Sequence, residues 1–311
     1  MKKFAAAVIA ATAVIALSAC GSAEIPKASG PEETAETGSL PQDVTAPIVA
    51  GVEADETIAA MLPEGMSTIK VGSNLQSPPA TFLAADGSTP IGFEIDLITA
   101  MGNRLGVDLD IQNMQFDTLI SGLESKRVDL TIASMNDNAT RQEAIDFVNY
   151  FNSGIAILVK KGNPDGINSP EDLCGTDTSA APGSSQLAWA EAVSPEICPE
   201  GEVINVVTNQ NDQQRLNDLK TGRAQSALND LPNLTYIAQT SGNGEDFEVV
   251  DTPLIDGAPY GIGFNKASTE LRDAIQASLQ SLIDDGTYGQ ILEAWGLDSG
   301  AIESATVNAG E

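Results

Sequence analysis

Residues 92–111 read GFEIDLITAMGNRLGVDLDI, and two apolar periods follow each other within this stretch. Its first part has apolar side chains on one helical face, at Leu97, Ile98, Met101 and Leu105. Its last part alternates apolar side chains with others, at Val107, Leu109 and Ile111. The first period is that of an amphipathic helix and the second is that of a β-strand. The stretch therefore predicts a helix that is followed at once by a strand.

The same alternation continues on both sides of this stretch. Further strands are predicted at residues 69–73, 128–133, 155–159, 203–207, 224–228, 247–250 and 260–264. Further helices are predicted at residues 116–123, from 140, at 186–192, at 212–220, after 232 and at 271–283. The helix from residue 140 begins in Thr140-Arg141-Gln142-Glu143, which has the spacing of a capping box. This order of elements predicts an α/β protein with mostly parallel sheets covered by helices.

The inventory of side chains excludes several classes of function. The 311 residues include 44 Asp and Glu against 15 Lys and Arg, for a formal charge of −29, and they contain no histidine. This charge repels phosphates and excludes binding to nucleic acid through basic side chains. Without histidine, Ser-His-Asp and Cys-His catalysis are excluded, and three cysteines are too few for a Cys₄ metal site. We expect no cofactor and no metal, and at about 150 residues a domain the length predicts two domains.

The first 20 residues have the pattern of an export signal. Lys2 and Lys3 precede the uncharged apolar run 4–17, which is shorter than the roughly 20 residues that cross a membrane. The run ends in Leu17-Ser18-Ala19-Cys20, which resembles the lipobox of bacterial lipoproteins. The resemblance implies a signal peptide at 1–19 and acylation of Cys20, palmitate included, which would hold the protein on the outer face of the cell membrane. The alternative is ordinary secretion with a cysteine there by chance.

The residues that follow are rich in acids, proline and glycine. Residues 20–66 have Lys27 as their only cation, and no apolar period persists in them except near 58–62. This composition is typical of chains that cannot bury enough apolar surface to fold. We therefore predict that 20–66 form a lipid-anchored acidic tether, disordered or weakly helical, below the folded body.

A series of motifs along the chain resembles one protein family. The motifs are Val71-Gly72-Ser73, 92–97, 116–120, Arg141 with Asp146-Phe147, Gly183-Ser184-Ser185, 222–224 with Asp230, Tyr260-Gly261-Ile262, 285–288 and Trp295-Gly296. Their order is similar to that in family 3 solute-binding proteins, the extracytoplasmic receptors of amino-acid ABC importers. The resemblance covers 68–297, and with the lipobox and tether it looks most like the lipid-anchored form of Gram-positive bacteria.

The resemblance implies a two-lobed α/β fold, periplasmic-binding-protein-like of type II, with two hinge strands. It places lobe 1 at 68–149 and 261–297, lobe 2 at 155–254, and a C-terminal tail at 298–311. The hinges would be 150–154 and 255–260, where glycine lies beside aromatic residues between two α/β sets. It also implies a monomer that captures an amino acid between its lobes and delivers it to the permease subunits of an importer.

An amino-acid ligand needs a cation for its carboxylate and an anion for its ammonium group. Arg141 occupies the position of the family's carboxylate-binding arginine, and the alternative is a surface arginine at a helix start, where the macrodipole disfavours a cation. Ser134 and Asn136 precede it, where the family contacts the ligand. Asp230 matches the family's ammonium-binding acid, and the alternative is a helix N-cap. In lobe 2, Ser184 and Ser185 lie where a helix N-terminus would face the carboxylate, and an ordinary serine N-cap is compatible with this position.

The wall for the ligand's side chain departs from the family pattern. Phe116 keeps one aromatic position, with a core residue as the alternative, whereas the second ring is replaced by Ala80, and Phe82 lies two residues on. Asn74 and Thr81 stand where receptors for cationic amino acids have carboxylates. A buried cationic side chain would therefore lack a partner. We predict a neutral polar amino acid as the ligand.

Two further expectations concern covalent chemistry. Cys174 and Cys198 fall in lobe 2 of an exported protein, and we predict a disulfide between them rather than a redox pair, since no Cys-x-x-Cys is present. Some relatives of this fold are dehydratases, for which Glu94 or Asp96 would be the candidate acid, but both fit a helix start better. We therefore predict a binding protein and no enzyme, with a dehydratase or a ligand-sensing receptor subunit as alternatives.

Overall fold

A computed structural model of the protein describes residues 41–311, with side chains from residue 45 onward. The predictions of a signal peptide at 1–19 and of acylation at Cys20 therefore lie outside the described residues. The helices are α1 (Pro41–Ala50), α2 (Glu56–Ala59), α3 (Phe93–Leu105), α4 (Leu119–Glu124), α5 (Ala139–Gln142), α6 (Ser185–Ile197), α7 (Asp212–Thr221), α8 (Leu231–Thr240), α9 (Thr269–Asp284) and α10 (Thr287–Ala294). The strands are β1 (Thr68–Ser73), β2 (Gln76–Ser77), β3 (Thr81–Leu83), β4 (Pro90–Ile91), β5 (Asp108–Asn113), β6 (Leu130–Thr131), β7 (Ile145–Lys160), β8 (Asp177–Ala180), β9 (Asn205–Thr208), β10 (Ser226–Asp230), β11 (Phe247–Val249) and β12 (Ile255–Asn265).

The helix and strand predicted from residues 92–111 are α3 and β5. Acids in the first turn of α3 and Arg104 in its last turn suit the helix macrodipole. Gly106 ends the helix with φ 67°, a left-handed conformation that costs glycine little. The chain then enters β5, which pairs in parallel with β1. The change of apolar period in the sequence therefore marks the boundary between the two elements.

One sheet of mixed direction runs through the molecule in the order β5-β1-β6-β12-β7-β10-β8-β9, with β11 also paired to β7. The pairs β5–β1–β6 and β10–β8–β9 are parallel, as the alternation of strands and helices predicts. The strands β7 and β12 are antiparallel to their neighbours and to each other. These two long strands lie in the middle of the sheet.

The buried apolar residues form two groups, one on each side of these long strands. Residues up to 151 and from 260 onward form the core that we call lobe 1, which includes Phe93, Leu97, Ile275 and Leu279. Residues between 155 and 250 form the cores of lobe 2. β7 and β12 contribute residues to both lobes, and their register shifts between Ile255 and Ala258 and again between Tyr260 and Gly261. The only covalent cross-link between described residues is the predicted disulfide Cys174–Cys198, which lies in lobe 2.

The prediction of a tether that reaches residue 66 is wrong for residues 41–66. Helix α1 packs on lobe 1, with Val49 and Thr45 buried, and Asn103 Nδ2 donates a hydrogen bond to the Val49 carbonyl oxygen over 2.9 Å. Ile58 of α2 packs on the same core. The sequence analysis missed α1 because this helix has a proline inside it, at Pro47, and lies in an acidic stretch rich in proline and glycine.

Two smaller predictions also need correction. Helix α5 begins two residues earlier than the capping box implies, because its N-cap is Asn138 and not Thr140, and Asn138 accepts a hydrogen bond from the Arg141 amide over 2.9 Å. Residues 298–311 are no free tail, since Gly300 and Ala305 are buried against lobe 1. No helix among the described residues is long and apolar enough to cross a membrane.

Candidate ligand-binding site

A cavity of about 50 Å³, partly open to solvent, lies between the two lobes. The residues that line it come from both lobes: Asn74, Ser77, Pro79, Ala80, Phe93, Phe116, Ala133, Ser134, Asn136, Ala181, Ser184, Gln186, Gln210, Arg215, Asn229, Asp230, Pro232, Asn233 and Tyr260. Six of the predicted site residues are among them, namely Asn74, Phe116, Ser134, Asn136, Ser184 and Asp230. Arg141 and Ser185 lie behind this wall.

Arg141 connects the two lobes next to the cavity. Its guanidinium donates to the Asn136 carbonyl oxygen over 2.7 Å, to the Gly183 carbonyl oxygen over 3.1 Å and to Ser185 Oγ over 3.4 Å. It also lies over the ring of Phe116, 5.6 Å from the centroid. Burial lowers the pKa of Arg141 to about 10, against the charges of Asp230 and Asp137. The guanidinium is thus a buried cation at neutral pH, which rules out the alternative of a surface arginine.

Asn136 and Ser185 join the lobes beside this cation. Ser185 Oγ donates to Asn136 Oδ1 over 2.8 Å, so that a serine of lobe 2 contacts the turn of lobe 1 that carries Arg141. Ser184 is the N-cap of α6, and its Oγ accepts from the Leu187 amide over 3.2 Å. The interpretation of Ser184 as an N-cap is therefore correct, and the N-terminus of α6 lies at the cavity, since Ser184 and Gln186 line it.

Asp230 is a buried anion on the lobe 2 side of the cavity. It is only 4% exposed, and although it occupies the N-cap position of α8, its side chain makes no capping hydrogen bond. Gln186 Nε2 donates to Asp230 Oδ1 over 2.9 Å. Burial raises the pKa of Asp230 to about 7, although hydrogen bonds from Tyr260 and Gln186 and the charge of Arg141 act in the other direction. The carboxyl group therefore titrates near neutral pH.

Glu94 is a second buried carboxyl group beside the cavity. Its Oε1 accepts hydrogen bonds from the Ser134 amide, from Ser134 Oγ and from Tyr150 Oη, over 2.8, 2.7 and 2.5 Å. Burial raises its pKa to about 7. The predicted helix start is correct, since Glu94 lies in the first turn of α3, and its carboxyl group also fixes Ser134 at the cavity wall.

Of the aromatic residues considered for the ligand's side chain, one lines the cavity. Phe116 is half-buried and lines the cavity, whereas Phe82 packs against Tyr236 and Trp295 and leaves the missing ring unreplaced. Asn74 is 6% exposed, and its Oδ1 has no hydrogen-bond partner among the described residues. Thr81 Oγ1 donates to the Asn74 carbonyl oxygen over 2.6 Å and does not line the cavity.

The sequence interpretation missed Arg215, a second arginine at the cavity. It pairs with the buried carboxylate of Asp212 one turn earlier in α7, and its Nη1 donates to the Asn209 carbonyl oxygen over 2.7 Å. Burial lowers the pKa of Arg215 to about 10, so it stays charged. A cation in the first turn of a helix is disfavoured by the macrodipole, and this signal, which also applies to Arg141, would have pointed to Arg215.

Further contacts cross between the lobes around the cavity. Asn233 Nδ2 donates to the Pro78 carbonyl oxygen over 2.7 Å. Gln210 Nε2 donates to Asp117 Oδ2, and Asn211 Nδ2 donates to Gln76 Oε1, each over 2.8 Å. The structure is therefore that of a closed cleft. Among the described residues, no group of three or more Cys, Asp or Glu side chains is placed to hold a metal ion.

The model of the bacterial extracellular solute-binding proteins, family 3, matches residues 69–298. The chain belongs to this family. Its fold is thus the two-lobed type II fold with two hinge strands, which confirms the predicted fold class.

Individual relatives agree with this assignment. The chain is 29% identical to the arginine-binding protein ArgT of Corynebacterium glutamicum, over 81% of this chain and 82% of that protein. It is 27% identical to the L-cystine-binding protein TcyJ of Escherichia coli strain K12, over 80% of this chain and 91% of that protein. An ancestral arginine-binding protein, solved with arginine and with glutamine, matches with a TM-score of 0.67 and 33% identity, over 74% of this chain and 98% of that one. These relatives are amino-acid-binding proteins, so the predicted role in substrate binding is supported.

Proposed function

We propose that the protein is the substrate-binding component of an ABC importer and that it captures an amino acid with a neutral polar side chain. The observation that carries the proposal is a buried cation of lobe 1, Arg141, and a buried anion of lobe 2, Asp230, beside one cavity between the lobes. A zwitterion bound by both would connect the lobes through its two opposite ends.

The ligand's carboxylate would bind between Arg141 and the N-terminus of α6. In the closed cleft the guanidinium donates to the neutral carbonyl oxygen of Gly183. An ionised carboxylate is a stronger acceptor and accepts two parallel bonds from an arginine. The Leu187 amide already donates to the N-cap Ser184, and the two amides before it in the first turn of α6 would add further donors. The carboxylate would therefore replace Gly183 as the partner of Arg141.

The ligand's ammonium group would bind Asp230, next to Gln186 and Tyr260. Burial disfavours the ionised form of this carboxyl group and raises its pKa. An ammonium group that binds beside it would stabilise the ionised form. The resulting ion pair would be enclosed in the cavity.

The charged and polar residues at the cavity favour a ligand with a neutral side chain. A cationic side chain would meet the charge of Arg215, and an anionic one would compete with Asp212 for the same guanidinium. The unpartnered Asn74 Oδ1 is an acceptor for an amide or a hydroxyl group. The related ArgT and TcyJ are named for arginine and cystine, whereas the ancestral arginine-binding protein has also been solved with glutamine. Glutamine, asparagine, serine and threonine are the ligands that fit these charges.

Ligand binding would shift an equilibrium between open and closed lobes, because a ligand that contacts both lobes favours the closed form. The closed form would then dock on the permease subunits. Acylation of Cys20 would keep the protein, as a monomer, at the outer face of the membrane next to them.

The experiment that tests the proposal is calorimetric titration of the purified protein with L-glutamine, L-asparagine, L-serine, L-threonine, L-arginine, L-glutamate and L-cystine. We expect the tightest binding within the first four. Tighter binding of L-arginine would contradict the proposed specificity and leave amino-acid binding intact. Absence of binding to every standard amino acid would contradict the function itself.

A further inference from the structure

Residues 305–310, which we call the clasp, return to the base of β7 after α10. The Asn149 amide donates to the Thr306 carbonyl oxygen over 2.9 Å, and Val307 forms an antiparallel bridge with Val148. The clasp therefore pairs with β7 just before that strand leaves lobe 1.

Side chains strengthen this pairing. Asn308 Oδ1 accepts from the Phe147 amide over 2.7 Å, and its Nδ2 donates to Asp146 Oδ1 over 3.1 Å. The Ala309 amide donates to Asn149 Oδ1 over 3.1 Å. These bonds fix the direction in which the clasp continues toward Gly310.

The clasp ends at Asp137, a fully buried carboxylate in the turn that carries Arg141. This carboxylate accepts hydrogen bonds from Gln142 Nε2 over 2.7 Å, from Asn149 Nδ2 over 2.9 Å and from the Gly310 amide over 2.9 Å. Gln142 Nε2 also donates to the Gly310 carbonyl oxygen over 2.8 Å. One carboxylate thus joins the turn, the strand β7 and the clasp.

The same turn is tied to the second long strand. The Asp137 amide donates to the Pro259 carbonyl oxygen of β12 over 2.8 Å, and Asn136 forms a bridge with Tyr260. Helix α5, which holds Arg141, is a single turn of four residues, and so short a helix has little stability of its own. The position of Arg141 therefore depends on bonds to other parts of the chain.

We propose that the clasp is a positioning element of the binding site, and that it holds the turn at 136–142 against both long strands, so that ligand affinity depends on residues that do not line the cavity. This inference rests on the proposed function only where it concerns affinity, because its effect on the turn itself needs no ligand. Gly310 is the position where a substitution should disturb this contact most directly, since a Cβ there would overlap the Asp137 carbonyl oxygen.

The test compares Gly310→Ala with the matched control Gly289→Ala, because a Cβ at Gly289 in α10 meets no atom within 4 Å. Hydrogen exchange of peptides covering 136–144 and 226–240 is measured in the unliganded proteins, followed by titration with L-glutamine and with the tightest ligand of the panel. We expect roughly tenfold faster exchange at 136–144 in Gly310→Ala, because a charge-assisted bond is lost, and no change at 226–240. We also expect roughly tenfold weaker binding, and neither effect in Gly289→Ala.

Unchanged exchange at 136–144 in folded Gly310→Ala would overturn the inference. Faster exchange with unchanged affinity would overturn the dependence of affinity on the clasp. If the wild-type protein binds no amino acid, the proposed function fails, while the exchange result still decides whether the clasp holds the turn. If Gly310→Ala does not fold, Asn308→Gly is measured in the same way, since it removes the side-chain bonds and tolerates the φ of 50° at this position.

Discussion

Binding of an amino acid should weaken as the pH falls from 8 to 6, because Asp230 must be ionised to pair with an ammonium group. The pKa of this carboxyl group is about 7 in the closed cleft without ligand, since burial raises it. With that pKa, about nine-tenths of the groups are ionised at pH 8 and about one-tenth at pH 6. The ligand binds the ionised form and lowers the pKa, so the affinity should fall roughly tenfold between these pH values, or about 1.4 kcal/mol.

The assay is calorimetric titration with the tightest ligand of the panel at pH 6, 7 and 8, at constant ionic strength. Buffers of two different ionisation enthalpies should show release of nearly one proton at pH 6 and almost none at pH 8. Asp230→Asn should bind weakly without this pH dependence, whereas Asp108→Asn, on the exposed face of β5, should keep it. Glu94→Gln tests the contribution of the second buried carboxyl group, whose pKa burial also raises to about 7. This variant should keep the dependence of affinity on pH. Equal affinity of the wild type at pH 6 and 8 would refute the role of Asp230.

Four further changes test the two arginines at the cavity, the disulfide and the lipid anchor. Arg141→Ala should weaken binding by about 3–5 kcal/mol, since the ligand carboxylate would be enclosed without its cation, and Arg141→Lys should recover only part of this loss. Calorimetric titration measures the effect, with the exposed Arg127→Ala as the control. Near-native affinity of Arg141→Ala would show that Arg141 does not bind the ligand. Arg215→Met should raise the affinity for L-arginine relative to L-glutamine, because it leaves the carboxylate of Asp212 without its partner. The exposed Arg223→Met should leave this ratio of affinities unchanged. An unchanged ratio in Arg215→Met would contradict the argument that the charge of Arg215 disfavours a cationic side chain. Replacing both Cys174 and Cys198 by alanine should lower the free energy of unfolding by about 3 kcal/mol in denaturant titrations, and an unchanged midpoint would show that the cross-link does not stabilise lobe 2. Cys20→Ser should release the protein from membranes with binding intact, and a mutant that still sediments with membranes would exclude the lipid anchor.

Much of the fold follows from the sequence where one physical signal dominates. The change of apolar period within residues 92–111 locates α3 and β5 because burial of one face decides both elements. The motif around Asp230 predicts a place at the ligand site, and its buried carboxyl group, which makes no capping hydrogen bond, lines the cavity. The assignment of ligand contacts to these residues stays a prediction.

Other features depend on partners that a linear pattern does not contain. Helix α1 has Pro47 inside it and is ordered by packing on α3, so its composition predicts a tether. The clasp is held mainly by hydrogen bonds to β7 and Asp137, which leave no apolar period. Arg141 lies behind the cavity wall because Asn136 and Gly183 bind its guanidinium, and no spacing in the sequence indicates this.

The crossing of β7 and β12 between the lobes also sets an order of assembly. Lobe 2 has its core residues in one continuous stretch, from Ile155 to Val250, and its cross-link closes within that stretch. In lobe 1, β12 lies between β6 and β7, so the middle of its sheet is missing until residues near 263 have been synthesised. Until then, β6 and the first half of β7 expose unpaired edges, which are the sites where strands aggregate. Lobe 2 is therefore the part that can fold first, and lobe 1 must wait for β12 before its sheet is complete.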